Sequence, residues 1–315
     1  MERWDRIKST VLDVVGNTPM VWLQRIGTDG GARIAIKLES LNPGGSIKDR
    51  IALSLIQDAT KSGRLLPGGT IVEATAGNTG AALAMAAAVL GYRSMFVVPD
   101  KMSAEKVALL RAYGSDVKIV ADKPRSDPDN YQHIARKLAE SIPGGCYMGQ
   151  FERDANPEAH FLSTGPEIWR DTGGELAAVV AGAGTGGTIT GIARYLKAQN
   201  PTIQVVGADP EGSILSGGSY RPFKIEGMGE DYVPATLDMD LVDRWIAVSD
   251  DDAFAMARRM AREEGLLVGG STGAMVVVAQ TIARELSATQ LVVAVAPDTG
   301  RNYLNTIFSE TDYEG

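Results

Sequence analysis

The chain has 315 residues, 44% hydrophobic and 22% charged, enough apolar material for a large core and too much for a disordered scaffold. Its 31 basic and 39 acidic residues give a net charge of −8 without any basic cluster, a poor match for nucleic acid or an anionic membrane. A single cysteine, Cys146, excludes an internal disulfide framework, and two histidines offer little for a metal site.

Residues 1–6 mix acids and bases without an apolar core, so they do not read as a secretory signal. With Cys146 alone, this leads to a reduced, cytoplasmic compartment as the expectation. Ile7, Val11, Leu12, Val14 and Val15 form an amphipathic start, suited to a partner surface or to a helix packed on the chain's own core. Ile47, Ile51, Leu55 and Ala59 recur every fourth position and predict a helix. Continuous apolar runs at 70–73, 94–99, 117–120, 146–149, 176–181, 204–209 and 291–296 predict strands buried on both faces. Residues 81–90 are almost wholly apolar yet far too short for a membrane span, and predict a buried helix. Ser103 is a candidate cap for a helix carrying Val107, Leu110 and Tyr113.

The proline- and aspartate-rich stretch 121–129 is a loop, and 212–234 is long enough for a functional lid. His133 and His160 read as surface or structural residues and receive no role, Cys146 reads as a buried small hydrophobe, and the acidic end 309–315 as a solvated tail. Apolar strands alternating with helices give an α/β class: two lobes, each with a mostly parallel sheet flanked by helices. The expected division is a smaller lobe over 42–148 and a larger lobe made of 1–41 and 149–315.

Four turns rich in glycine and hydroxyl residues open helices. Gly182-Ala183-Gly184-Thr185-Gly186-Gly187 follows an apolar run, and its backbone amides at a helix start suit a phosphate. The spacing also satisfies a dinucleotide fingerprint with Asp209 closing the next strand, so a nicotinamide enzyme stays open here, as does a plain turn. Asn42-Pro43-Gly44-Gly45-Ser46-Ile47-Lys48 places a lysine in the first turn of a helix, where the dipole disfavours the ammonium form. That suits an amine nucleophile, although a surface lysine paired with Asp49 or Glu39 explains it as well. Thr75-Ala76-Gly77-Asn78-Thr79-Gly80 offers amides and hydroxyls for a carboxylate, or is an ordinary polar turn. Gly269-Gly270-Ser271-Thr272-Gly273 is either a further ligand turn or simple capping by Ser271 or Thr272.

Taken together, these motifs resemble the cystathionine β-synthase and cysteine synthase family of fold-type II pyridoxal-phosphate enzymes, whose fold is tryptophan synthase β-like. The likeness runs from Gly16-Asn17-Thr18-Pro19 to Arg301-Asn302-Tyr303. The resemblance implies pyridoxal 5'-phosphate as cofactor and Lys48 as the catalytic, Schiff-base lysine. It implies that Asn78 meets the ring hydroxyl oxygen, that Gly184, Thr185, Gly186, Gly187 and Thr188 cradle the phosphate, and that Ser271 meets the pyridine nitrogen. Thr75, Gly77, Asn78, Thr79 and Gln150 would hold the substrate carboxylate. The dinucleotide reading falls, because it leaves Lys48 and the asparagine loop unexplained.

The family loop usually carries serine where Ala76 stands, so one hydroxyl is missing from the substrate loop. The segments at 99–106, 209–215 and 226–234 look more like cystathionine β-synthase than cysteine synthase. Glu226, next to Gly227, would receive the ammonium group of an amino-acid thiol, and Lys101 its carboxylate or only solvent. The implied reaction is β-replacement: L-serine or O-acetyl-L-serine condenses with L-homocysteine to give cystathionine. Cysteine synthase chemistry with sulfide is the alternative, and a catalytically silent regulatory relative a third, opposed by the retained Lys48, Asn78 and Ser271. The resemblance further implies a minimal catalytic core without haem, small amino-acid substrates, no metal, no nucleic-acid or membrane partner, and a homodimer.

Overall fold

Apolar runs become strands, and those at the centre of a sheet bury most of their side chains because both of their faces are covered. The computed structural model describes residues 7–27 and 30–309. β1 (Met20–Trp22) and β2 (Arg33–Leu38) precede α1 (Lys48–Lys61), β3 (Thr70–Ala74) and α2 (Asn78–Leu90). β4 (Arg93–Pro99), α3 (Ala104–Ala112), β5 (Asp116–Val120), α4 (Tyr131–Ser141) and β6 (Gly145–Tyr147) follow. Next come α5 (Ala155–Leu162), α6 (Thr164–Asp171), β7 (Ala178–Gly182), α7 (Gly187–Gln199), β8 (Gln204–Pro210) and β9 (Arg244–Val248). α8 (Asp250–Glu264), α9 (Gly270–Glu285) and β10 (Leu291–Ala296) complete the order. Among the described residues, no helix is long and apolar enough to cross a membrane.

The chain divides into two compact units. One holds Asn42–Ala155 with the described residues before Gly16, the other Gly16–Leu41 with the described residues from Asn156 onward. In the first, β5, β4, β3 and β6 form a wholly parallel sheet in that order. All five residues of β3 are buried, and Ala135 and Ala139 of α4 pack on Val72, Ala74 and Val97. α2 is buried from Thr79 to Ala87, and its small alanines let it lie close against the neighbouring elements.

The second unit carries the sheet order β1-β2-β10-β7-β8-β9, parallel throughout except for β1 against β2. β10 is central: Val293 pairs with Ala35 on one side and Val179 on the other. α8 and α9 approach so closely that a Cβ on Gly273 would stand 1.9 Å from the Ala253 carbonyl oxygen. A fully buried polar group joins this unit's first residues to α6. Lys37 Nζ donates to Glu167 Oε2 at 2.7 Å and to the Thr18 carbonyl at 2.5 Å, while Asn17 N donates to Glu167 Oε1 at 3.0 Å.

Several expectations are corrected. The boundary expected at 148 falls at Ala155, because Gln150 is bonded to β3 residues and Ser54 Oγ donates to the Ala155 carbonyl at 2.6 Å. Residues 7–15 group with the first unit rather than the second. The amphipathic start is a single 3₁₀ turn, Val11–Val14, capped by Thr10 and without buried residues; Ile7, Val11 and Val14 stay exposed. β1, β2 and β9 were not foreseen: all three residues of β1, like most of β9, face solvent at least in part, and β5, expected to be buried on both faces, is an edge strand without a buried residue. The acidic end from Glu310 onward, and residues 1–6, lie outside the described residues.

Candidate active site

In the first unit α1 begins at Lys48, whose backbone N–H donates to Ser46 Oγ at 3.2 Å. The side chain of Asp49 folds back to accept from Gly44 N at 2.5 Å, which ties the Gly44-Gly45 turn to the helix start. α2 starts at Asn78 after Gly77, which provides no side-chain cap. Thr75 closes the preceding loop: its Oγ1 accepts from Gly77 N and Gly80 N, both at 3.1 Å. A Cβ on Gly80 would come within 2.5 Å of Thr75 Cγ2, so this loop needs glycine there. Ala76 is exposed at the loop's tip.

Gln150 is buried beneath that loop. Thr79 Oγ1 donates to its Oε1 at 2.6 Å, and its Nε2 donates to the Ala74 carbonyl at 3.1 Å. A carbonyl only accepts, which fixes the amide's orientation. Its backbone N–H donates to Glu73 Oε2 at 3.1 Å, while Glu73 Oε1 accepts from Ala74 N at 2.8 Å. Glu73 is wholly buried; desolvation pushes its carboxyl up from 4.5 to about 7, against the opposing pull of backbone N–H groups.

In the second unit β7 ends at Gly182, and α7 starts at Gly187 after Gly186, which adopts a left-handed φ of 82°. This helix also lacks a side-chain cap, leaving first-turn amides for another acceptor. By contrast Ser103, Asn130 and Ser249 cap α3, α4 and α8. The segment 226–229 is seated on the turn: Gly229 N donates to the Ala183 carbonyl at 2.8 Å, and a Cβ on Gly184 would lie 2.7 Å from the Gly227 carbonyl oxygen. Glu226, its neighbour, is exposed. Ser271 and Thr272 open α9, both buried, but the N-cap is Gly269 and no side chain caps the helix, so the capping explanation fails. Thr272 Oγ1 is buried and has no hydrogen-bond partner among the described residues.

Two of the four turns do not follow a strand directly. The one before Lys48 succeeds the 3₁₀ turn Glu39–Leu41, and the one before Ser271 succeeds α8. Lys48, Thr75, Gly77, Asn78, Thr79 and Gln150 belong to the first unit; Gly184 through Thr188, Glu226, Gly227 and Ser271 belong to the second. Within them the structure brings Thr75, Gly77, Thr79 and Gln150 into one network, and Gly184 against Gly227. Lys101 is exposed and paired with Asp122 at 2.8 Å.

Sequence reasoning missed Glu73, Asn156 and His160. An acid inside an otherwise apolar strand was the signal for the first. His160, left open between a surface and a structural residue, is fully buried, with Nε2 3.2 Å from Thr188 Oγ1 and Nδ1 2.9 Å from Thr164 Oγ1.

Residues 11–298 match the family model described as pyridoxal-phosphate dependent enzyme. The chain belongs to that family. Its cofactor is therefore pyridoxal phosphate, and the dinucleotide reading of the Gly182–Gly187 spacing is set aside. Cystathionine beta-synthase of Oryctolagus cuniculus is 44% identical over 314 residues, covering 97% of this chain and 57% of that protein. The chain thus spans a little over half the length of that relative. Among solved structures, an O-ureido-L-serine synthase matches with a TM-score of 0.92 and 40% identity, covering 98% of this chain and 97% of the other. The O-acetylserine dependent cystathionine beta-synthase of Helicobacter pylori matches with a TM-score of 0.87 and 40% identity, covering 95% of this chain and 98% of the other. This pyridoxal-phosphate dependent enzyme therefore has the fold-type II α/β architecture, with parallel strands at the heart of both units.

Proposed function

We propose that this enzyme replaces the β-substituent of L-serine or O-acetyl-L-serine with the thiol of L-homocysteine, forming cystathionine. One observation supports the acceptor above the others. The backbone of segment 227–229 rests on the turn ahead of α7, and the exposed acid that precedes it, Glu226, is assigned to the ammonium group that homocysteine has and sulfide lacks. The likeness to cystathionine β-synthases, one of them O-acetylserine dependent, supports the donor pair.

The residues suit the cofactor. Around the start of α7, uncapped amides and the hydroxyls of Thr185 and Thr188 offer donors, as a phosphate dianion requires. The unsatisfied, buried hydroxyl of Thr272 beside Ser271 suits a ligand that brings polar atoms of its own. Lys48 would carry the cofactor, Asn78 would meet its ring hydroxyl oxygen and Ser271 its pyridine nitrogen. Pyridoxal phosphate, when bound, supplies the conjugated ring that takes up the electron pair freed at the substrate's Cα. The Lys48 amine, set free when the substrate's own amine takes its place on the cofactor, would remove the proton from that carbon. A neutral hydroxyl at Ser271, unlike a carboxylate, does not enforce protonation of the ring nitrogen, which favours loss of the β-substituent over transamination.

Thr75, Gly77, Asn78, Thr79 and Gln150 hold the substrate carboxylate in this reading. Thr75 acts by shaping the loop, and Gln150 is held in a fixed orientation beneath it by its bonds with Thr79 and Ala74. The test pairs both donors with both thiols and identifies products by mass. Cystathionine formed faster than cysteine supports the proposal; faster turnover with sulfide would assign cysteine synthase instead. A homodimer in the cytoplasm completes the proposal, and a monomeric mass by light scattering contradicts its first part.

A further inference from the structure

Helices α5 and α7 approach at a spacing that glycine permits. A Cβ on Gly187 would stand 1.9 Å from Asn156 Oδ1, and one on Gly191 would stand 2.2 Å from the Pro157 carbonyl oxygen and 2.6 Å from His160 Cβ. Asn156 and His160 are one helical turn apart on α5, as Gly187 and Gly191 are on α7, so successive turns meet. Across that contact Asn156 Nδ2 donates to Thr185 Oγ1 at 2.9 Å, and His160 Nε2 reaches Thr188 Oγ1 at 3.2 Å. Thr185 Oγ1 also accepts from Gly187 N at 3.4 Å. All of these groups lie in the second unit, and Asn156, His160 and Thr164 are buried.

A threonine hydroxyl has one proton and two lone pairs. Asn156 occupies a lone pair of Thr185, which leaves that hydroxyl's proton to be donated elsewhere. For Thr188 the outcome depends on the imidazole. With Nε2–H donating to Thr188, Nδ1 accepts from the Thr164 hydroxyl, and the Thr188 proton is released. In the opposite tautomer Nε2 would consume that proton, and Thr188 would turn lone pairs toward a phosphate that has only acceptor oxygens. The first arrangement is the one compatible with an anion at this helix start.

We propose that Asn156 and His160 are positioning residues that set Thr185 and Thr188 as hydrogen-bond donors to the cofactor phosphate, with His160 held as the Nε2–H tautomer. This rests on the reading of the turn at 184–188 as the phosphate cradle. The side chains of α5 act through the threonines.

The test measures the pyridoxal phosphate dissociation constant and the ³¹P resonance of the bound cofactor in the full chain. Thr188→Val and His160→Leu should each weaken retention roughly tenfold or more, the worth of one charge-assisted hydrogen bond. The double variant should be little worse than either single one, and His160→Gln, which keeps a donor, should recover part of the loss. Should His160→Leu not fold, the same comparison runs on His160→Gln and Asn156→Leu, the latter paired with Thr185→Val. Full additivity of the two losses, or unaltered retention in His160→Leu while Thr188→Val weakens it, overturns the proposal. Unaltered retention in both Thr185→Val and Thr188→Val overturns the cradle reading itself.

Discussion

Replacing Glu73 by Gln exposes how a buried acid at the base of the 75–80 loop couples stability to pH. In the folded chain its carboxyl releases the proton at about 7, because burial opposes charge more strongly than the N–H groups of Ala74 and Gln150 favour it. In the unfolded chain the same proton leaves near 4.5. Between those values the native state binds the extra proton, so this group's contribution to stability falls as pH rises from 4.5 to 7. At about 1.4 kcal/mol per unit the full span is worth on the order of 3 kcal/mol. Glu73→Gln removes that slope at a fixed cost of about 1–3 kcal/mol, since one acceptor oxygen facing Ala74 N or Gln150 N becomes an NH₂ group. Urea unfolding of cofactor-free protein at pH 5 and pH 8 reads both effects. The variant should be the less stable protein at pH 5 and gain on the natural chain by about 3 kcal/mol at pH 8. Parallel pH profiles for the two would refute the reasoning.

Lys37→Met leaves Glu167 charged and buried without its cation, and should cost about 3–5 kcal/mol of unfolding free energy; adding Glu167→Leu should recover part of it, as urea midpoints will show. Gly191→Ala forces a methyl group into the Pro157 carbonyl and should destabilise the fold by roughly 1–3 kcal/mol, read as a lowered melting temperature. Glu226→Gln should lower kcat/KM for homocysteine by about tenfold, the value of one charge-assisted contact, while leaving sulfide turnover near its natural value. Equal losses with both thiols would separate Glu226 from acceptor recognition.

Much of this architecture was legible because burial on both faces writes itself as an unbroken apolar run. β10 was foreseen to the residue, and β3, β4 and β8 to within one or two; β5 was placed as closely, but as an edge strand without a buried residue it lacks the cover on both faces that its apolar run predicted. The helix starts at Lys48, Asn78, Gly187 and Gly270 were legible for a different reason: glycine and hydroxyl residues gather in the turns from which helices begin. Short strands with a solvent face carry neither signal, which hid β1 and β9. The boundary near Gln150 was misplaced because the bonds that tie this residue to Glu73, Ala74 and Thr79 reach more than seventy positions back, a distance no local pattern encodes. His160 escaped notice for the same reason, since its role depends on α5 lying against α7.

The account stands on Lys48 as the residue that carries pyridoxal phosphate. Protein reconstituted with the cofactor, reduced with borohydride, digested and weighed peptide by peptide tests this directly. A pyridoxyl adduct on the peptide containing Lys48, absent from Lys48→Ala, is the result expected. An adduct on any other lysine, or none at all, would contradict it.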